Sequence, residues 1–240
     1  MTAPLFFSDT LGRPEVGSLV TLDGDDGRHA VVVRRIRPGE ELMIGDGRGF
    51  GVRGRVQQVD RASLSVQVTE VLAVPAGGRS VVAVQALAKG DRSELAVEML
   101  TETGVTAIVP WAASRSIVRW TGERGERSRA KWQATAREAA KQSRRLQLPE
   151  VTEPMTTAQV ARRIAETDVA LVLHEATGHR LTEHPLPEDA EILVVIGPEG
   201  GIAPEELDSL VAAGAAVVSI SDGVLRTSTA GAVAVALLRA

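Results

Sequence analysis

The hydrophobic rhythm of the chain changes near residue 80. Before it, short runs of apolar and polar residues recur between turn signals: LFFS, SLVTL, ELMIG, GFGVRGRVQQV and SLSVQVTEV, punctuated by DGDDG, RPGE and DGRG. Alternation with period two gives each strand one apolar face, the pattern of a half-buried antiparallel sheet. The tract Arg28–Ile36 (RHAVVVRRI) breaks the rhythm and reads either as a buried strand or as a helical turn. Leu72–Ser80 (LAVPAGGRS) is a Pro/Gly linker and sets a boundary after residue 72. Beyond it, VVAVQAL is continuously apolar, as in a strand covered on both faces. Asp91–Gly104 then predicts a helix with Leu95, Met99 and Leu100 on its inner face and Gly104 at its end. VTAIVP, DVALVLHEA, EILVVIGPEGG and AAVVSIS predict further strands. Arg127–Arg145, TTAQVARRIAE, APEELDSLVAAG and TSTAGAVAVALLRA predict helices between and after them. Such alternation means a parallel α/β sheet. The fold class is therefore α/β, with a small N-terminal β-barrel over residues 1–72 and an α/β domain over 73–240.

Composition narrows the chemistry. Among 240 residues there is no cysteine, which excludes a disulfide framework, Cys-ligated zinc, iron–sulfur clusters and thiol catalysis. No apolar run reaches the ~18 residues of a membrane span. The opening MTAPLFFSDTLGRPE lacks the basic and apolar regions of a secretory leader, so a cytoplasmic protein is expected. Aromatic residues are 2% of the chain with no tyrosine, which disfavours an aromatic stacking platform for single-stranded nucleic acid. Trp120 and Trp132 are expected to pack rather than stack on bases. The net charge of −4 is unevenly spread. Residues 112–148 hold 10 basic against 3 acidic side chains, a net +7, whereas residues 149–240 hold 5 against 14, a net −9. A basic stretch inside an acidic protein steers a polyanion.

Parallel sheets bind ligands beyond the carboxyl ends of their strands. Three such ends carry unusual residues: His174 and Glu175 in LVLHEATG, Gly197–Gly201 in VVIGPEGGIAPEE, and the tract from Ile220 in ISDGVLRTSTA. The glycine loop lets backbone turn sharply and approach a ligand, so a side chain at Gly200 is expected to block binding. It is neither the dinucleotide pattern nor a phosphate loop. Thr227, Ser228 and Thr229 read as an N-cap for the last helix, with Arg226 beside them as a substrate-binding candidate. His174 and His179 are five residues apart, one too many for a zinc-binding helix, and no metal is expected. No Gly-x-Ser-x-Gly elbow of a serine hydrolase is present.

In order, KGDRSEL from Lys89, EMLTETGV from Glu98, EAAKQSRR from Glu138, HE at His174, IGPEGG from Ile196 and VLRTSTA from Val224 resemble one family over nearly the whole chain. It is that of the RsmE-type 16S ribosomal RNA (uracil-N3)-methyltransferases of the SPOUT class, whose RNA-facing segment RHAVVVRR also resembles. The resemblance implies a PUA-like β-barrel, a SPOUT α/β domain with a trefoil knot, a homodimer, and S-adenosylmethionine as methyl donor. It implies 16S ribosomal RNA or the small ribosomal subunit as partner. Carried over by position, Leu173, His174, Glu175, Gly197, Glu199, Gly200, Gly201, Ile220, Val224, Leu225 and Arg226 hold the donor. Arg226 and Glu199 are the catalytic candidates. The basic stretch offers Arg115, Arg119, Arg137, Lys141, Arg144 and Arg145 to RNA phosphates, and these, with Arg28, His29, Arg34, Arg35, Lys89 and Arg92, are the expected RNA-binding residues. The chain departs from relatives at Ile220-Ser221-Asp222-Gly223, where many carry leucine–glycine–proline, and at Ser228, where an acid often stands. Two rivals stay open at this point: another SPOUT methyltransferase, acting on transfer RNA or ribose 2′-oxygen, and an RNA-binding module without catalysis.

Overall fold

The computed structural model of the chain describes residues 3–175 and 177–240, which form two compact units. Ala176, at the end of the expected strand DVALVLHEA, lies outside the described residues. The first unit runs to Ala76 and takes in Ala140–Leu148; the second comprises Gly77–Ala139 and Pro149–Ala240.

In the first unit, β1 (Leu5–Phe7), β2 (Leu19–Leu22), β3 (Glu41–Gly45), β4 (Phe50–Val59) and β5 (Leu64–Ala73) form one curled sheet in the order β1-β3-β4-β5-β2. The pairing is antiparallel except between β1 and β3. Alternation works as expected: Leu64, Val66 and Val68 of β5 are buried with Leu22, Leu42, Ile44 and Val52. The DGRG turn is fixed by Asp46, whose Oδ1 accepts the amides of Arg48 (2.7 Å) and Phe50 (3.0 Å). Burial alone would raise the Asp46 pKa, but those amides and the Arg13 guanidinium hold it below the ordinary value. The ambiguous tract is helical. α1 (Gly24–Arg28) continues into one π-helical turn, His29–Val33, closed by the Arg34 amide on the His29 carbonyl (2.9 Å) and ended by Arg35 at φ 56°. Ala30 and Ile36 face the core while Val32 and Val33 are exposed.

Residues 140–148 complete this unit. Leu146 lies so close to β3 and β4 that a Cβ on Gly51 would sit 2.6 Å from its Cδ2. Lys141 corrects an expectation: its ammonium is buried 3.1 Å from Asp26 Oδ1, so it is not presented to a phosphate.

In the second unit, β6 (Ser80–Ala86), β7 (Ala107–Trp111), β8 (Glu150–Val151), β9 (Val169–Leu173), β10 (Glu191–Ile196) and β11 (Ala216–Val218) form a wholly parallel sheet, ordered β11-β9-β10-β6-β7-β8. Its strands are apolar on both faces because both are covered. Ile192, Val194 and Ile196 of β10 join one core with Leu100, Trp132, Val235 and Leu238; Leu193 and Val195 join the other with Val160, Ile164 and Leu210. The first core is closed by α2 (Arg92–Thr103), α3 (Gly122–Ser143) and α6 (Thr227–Arg239), the second by α4 (Thr157–Ala165) and α5 (Pro204–Ala212). α4 opens with a capping box between Thr156 and Gln159. Gly104 ends α2 at φ 111°, as its place in the sequence predicts.

Three expectations are corrected here. The buried face of α2 is Ser93, Ala96, Val97, Leu100 and Thr101, and Leu95 is 43% exposed. That face is small because α6 packs against it: a Cβ on Gly231 would meet Leu100 Cδ2 at 2.9 Å. α3 starts at Gly122, five residues before the expected Arg127, and stops at Ser143 because Arg144 turns to φ 57°. The hydroxyls before α6 make no cap: the N-cap is Arg226, without a side-chain cap bond. Trp120 and Trp132 pack edge-to-face at 4.9 Å, and the Trp132 indole donates to Ser93 Oγ (2.9 Å). No helix among the described residues is long and apolar enough to cross a membrane.

Candidate active site

Because the sheet is parallel, the segments after β9, β10 and β11 all leave from one edge, and backbone hydrogen bonds tie them together. His174 N donates to the Val218 carbonyl (3.0 Å) and Ser219 N to the His179 carbonyl (2.8 Å), lacing the first segment to the third. Arg180 and Asp222 form an ion pair across the same two segments. The second segment turns at Pro198–Gly201, with Gly201 N on the Pro198 carbonyl (2.9 Å). Thr227 then joins the second segment to the start of α6. Its hydroxyl donates to the Gly197 carbonyl (2.7 Å) and accepts from Gln85 Nε2 (3.0 Å), which reaches in from the end of β6. The hydroxyl run expected to cap α6 instead fastens the glycine loop.

These segments enclose a cavity of about 310 Å³, within the range of small-molecule sites. Leu173, His174, Glu175, Gly197, Glu199, Gly201, Val224, Leu225 and Arg226 line it, as does Arg92, which sequence reasoning assigned to RNA. Its apolar wall is completed by Pro198 of the glycine loop and by Ile196, Ile202 and Ala230, which sequence reasoning passed over as strand, turn and helix packing. Ile220 lies in a smaller space of about 70 Å³ that shares Leu173, His174, Val224 and Leu225 with the first.

Gly200 is the exception. It does not line the cavity, and a Cβ there would make only an ordinary contact with Arg115 Cβ, at 3.5 Å. The glycines that geometry requires are Gly201, at φ 72°, and Gly197, whose Cβ would stand 2.8 Å from Ile202 Cγ1. The charged rim holds two carboxylates, Glu175 and Glu199, and two guanidiniums, Arg92 and Arg226. Among the described residues, no group of three or more His, Asp or Glu side chains is placed to hold a metal ion.

Glu206, in the first turn of α5, is a residue that sequence reasoning missed. Its carboxylate is buried and accepts Ser114 N (2.9 Å), Ser114 Oγ (2.7 Å) and Thr157 Oγ1 (2.6 Å). Burial works to raise its pKa, but these donors and the Ala203 amide outweigh it and hold the carboxyl below the ordinary value. In the sequence it is one of two glutamates behind Pro204, where an acid at a helix start is commonplace.

The expected RNA-facing cations divide between the units. Arg28, Arg34, Arg35 and Arg144 are exposed in the first unit, where His29 and Arg145 are half-buried. In the second, Lys89, Arg92, Arg115 and Arg119 are exposed and Arg137 is half-buried. Arg119 binds its own loop, donating to the carbonyls of Ala113 (2.9 Å) and Ser114 (3.0 Å).

The family model of an RNA methyltransferase domain matches residues 77–239, and that of an RNA methyltransferase PUA domain matches residues 22–69. The chain is 44% identical to ribosomal RNA small subunit methyltransferase E of Mycobacterium bovis, over 98% of this chain and 90% of that protein. The chain belongs to the ribosomal RNA small subunit methyltransferase E family. The Bacillus subtilis member is 27% identical, over 94% of this chain and 91% of its own length. Among solved structures, the family member of Neisseria gonorrhoeae bound to S-adenosylmethionine superposes with a TM-score of 0.85 at 26% identity, over 98% of this chain and 96% of that one. A methyltransferase of Legionella pneumophila, also with that cofactor bound, gives 0.85 at 28% identity, over 99% and 97%. The curled sheet is thus a PUA-like domain, and the parallel sheet carries the methyltransferase domain.

Proposed function

We propose that the chain transfers a methyl group from S-adenosylmethionine to N3 of one uridine in 16S ribosomal RNA. The observation that carries this is the cavity closed by three chain segments, in a protein 44% identical to a small subunit methyltransferase E. The residues present suit the donor. Leu173, Ile196, Ile202, Leu225 and Ala230 offer apolar walls to a neutral adenine, while the rim carboxylates and guanidiniums complement its ammonium, sulfonium and carboxylate groups. When bound, the donor supplies an already activated sulfonium methyl, which calls for no metal ion.

What the chain must do is position. Leu173, His174, Glu175, Gly197, Glu199, Gly201, Val224, Leu225 and Arg226 would hold the donor, with Ile220 at the adjoining space. Orientation of this kind is worth roughly 7–11 kcal/mol. Uracil N3 must also lose its proton. Arg226, at the cavity rim, would stabilise negative charge developing on uracil oxygen, and Glu199 would accept the proton. N3 lies on the pairing edge, so the uridine must be unpaired or flipped out. Residues 1–72 would serve as the RNA-binding domain and 73–240 as the catalytic one, each offering arginines to phosphates. The family likeness supports a homodimer. The same likeness supports a trefoil knot in the parallel-sheet domain.

Mass mapping of 16S ribosomal RNA from cells with and without the gene tests the reaction. The expected difference is loss of a single N3-methyluridine; an unchanged map, or loss of a ribose or transfer-RNA methyl, counts against it. At the glycine turn, a left-handed residue with a Cβ carries about 1–2 kcal/mol of strain that the free loop sheds by relaxing, so Gly201→Ala is expected to weaken donor binding about tenfold in calorimetry. Gly200→Ala should leave it within twofold, and equal losses at both would refute the assignment of Gly201.

A further inference from the structure

Glu206 stands outside the cavity, yet its buried carboxylate accepts three hydrogen bonds from protein donors. Its two oxygens gather donors from two other segments: the amide and hydroxyl of Ser114, in the loop after β7, and the hydroxyl of Thr157, at the start of α4. The Trp111 indole bonds the same Thr157 hydroxyl (3.2 Å), which anchors the cluster in the core. A neutral amide there would remove the charge that strengthens all three bonds and would force the Ser114 hydroxyl to turn round and accept.

The loop so held runs through Ser114, Arg115 and Arg119. Arg115 comes next after the clamped residue, is exposed, and gives one Nη1 hydrogen bond to the Gly200 carbonyl (3.2 Å). The rest of its planar fork stays open beside the glycine turn, a geometry suited to phosphate oxygens. Arg119 bonds the carbonyls of Ala113 and Ser114, so the loop is tied from both sides.

We propose that Arg115 is a phosphate anchor for the RNA strand entering the active site, and that Glu206 is the positioning residue that holds it against the glycine turn. The proposal rests on the reading of the site as that of an RNA methyltransferase. Glu206 does not touch the methyl donor, so its loss should separate RNA binding from donor binding.

The test is filter binding of in vitro transcribed 16S ribosomal RNA across a salt series, with calorimetric titration of S-adenosylmethionine on the same full-length proteins. Arg115→Ala should weaken RNA binding about tenfold and lower the salt slope by roughly one unit, the loss of one phosphate contact. Glu206→Gln should do the same while donor affinity stays within twofold. The double variant should be no weaker than Arg115→Ala alone. Ser114→Ala, which removes one of the three donors, should shift RNA binding about threefold in the same direction and decides the matter if Glu206→Gln does not fold. An unchanged salt slope in either single variant, or fully additive losses in the double, overturns the proposal. Wild-type protein whose RNA slope responds to both variants but which binds no donor would support the anchor and overturn the methyltransferase reading instead.

Discussion

Arg226→Ala is expected to lower kcat for methyl transfer about a hundred- to a thousandfold, the usual cost of removing one donor aimed at developing negative charge. The substitution is clean because the side chain makes no hydrogen bond or ion pair among the described residues. Arg226 is the N-cap of α6 by its backbone alone (φ −66°, ψ 149°), and its exposed guanidinium lines the cavity. The neighbour that fastens the loop, Thr227, is untouched. Melting temperature should therefore change by no more than a few degrees, and donor affinity by less than tenfold. Arg226→Lys, which keeps the charge but not the planar fork, should fall between the two. Single-turnover methylation at saturating donor and RNA is the measurement. A fall in kcat matched by the loss of donor affinity would make Arg226 a binding residue and remove it from the proton-transfer step.

Where local rhythm decided the structure, the sequence was readable. Alternating strands of the curled sheet and the continuous apolar runs of the parallel sheet report burial on one face or two, and burial sets their period. The three strand ends were legible for the same reason, since a parallel sheet delivers its loops to one edge. What escaped depends on contacts between distant residues. The inner face of α2 is built from Ser93, Ala96 and Thr101 because Gly231 brings α6 close, and small residues give no hydrophobic signal. α3 begins five residues before its expected start and runs through Gly125, with Trp120 so close that a Cβ there would stand 3.0 Å from its carbonyl carbon. Thr227 looked like a cap because hydroxyls before helices usually are, and only the Gly197 carbonyl and Gln85 show its other use. Glu206 and Lys141 misled in the same way: a first-turn acid and a helical lysine are ordinary until their buried partners are seen.

Lys141 carries the prediction with the largest effect on stability. Asp26, 6% exposed, accepts the Phe7 amide on Oδ2 (2.7 Å) and the Lys141 ammonium on Oδ1 (3.1 Å), joining residues 115 positions apart. Asp26→Ala should cost about 3–5 kcal/mol of unfolding free energy, measured by urea denaturation followed by circular dichroism. Most of that cost is the loss of the Asp26 carboxylate beside the Lys141 ammonium, with a further part from the Phe7 amide. The pair itself contributes far less, because both ions were desolvated to form it. Asp26→Ala combined with Lys141→Met should therefore recover much of the loss, the non-additivity expected of partners in contact. Asp26→Asn, which keeps an acceptor for Phe7, should lie between. The same pair separates architecture from recognition. If Lys141 serves the fold, Lys141→Met leaves the salt slope of RNA binding where it was, although its stability changes. A slope lowered by one unit would return Lys141 to the RNA-facing set, and an Asp26→Ala cost below about 1 kcal/mol would mean that water reaches the ammonium and the burial argument fails.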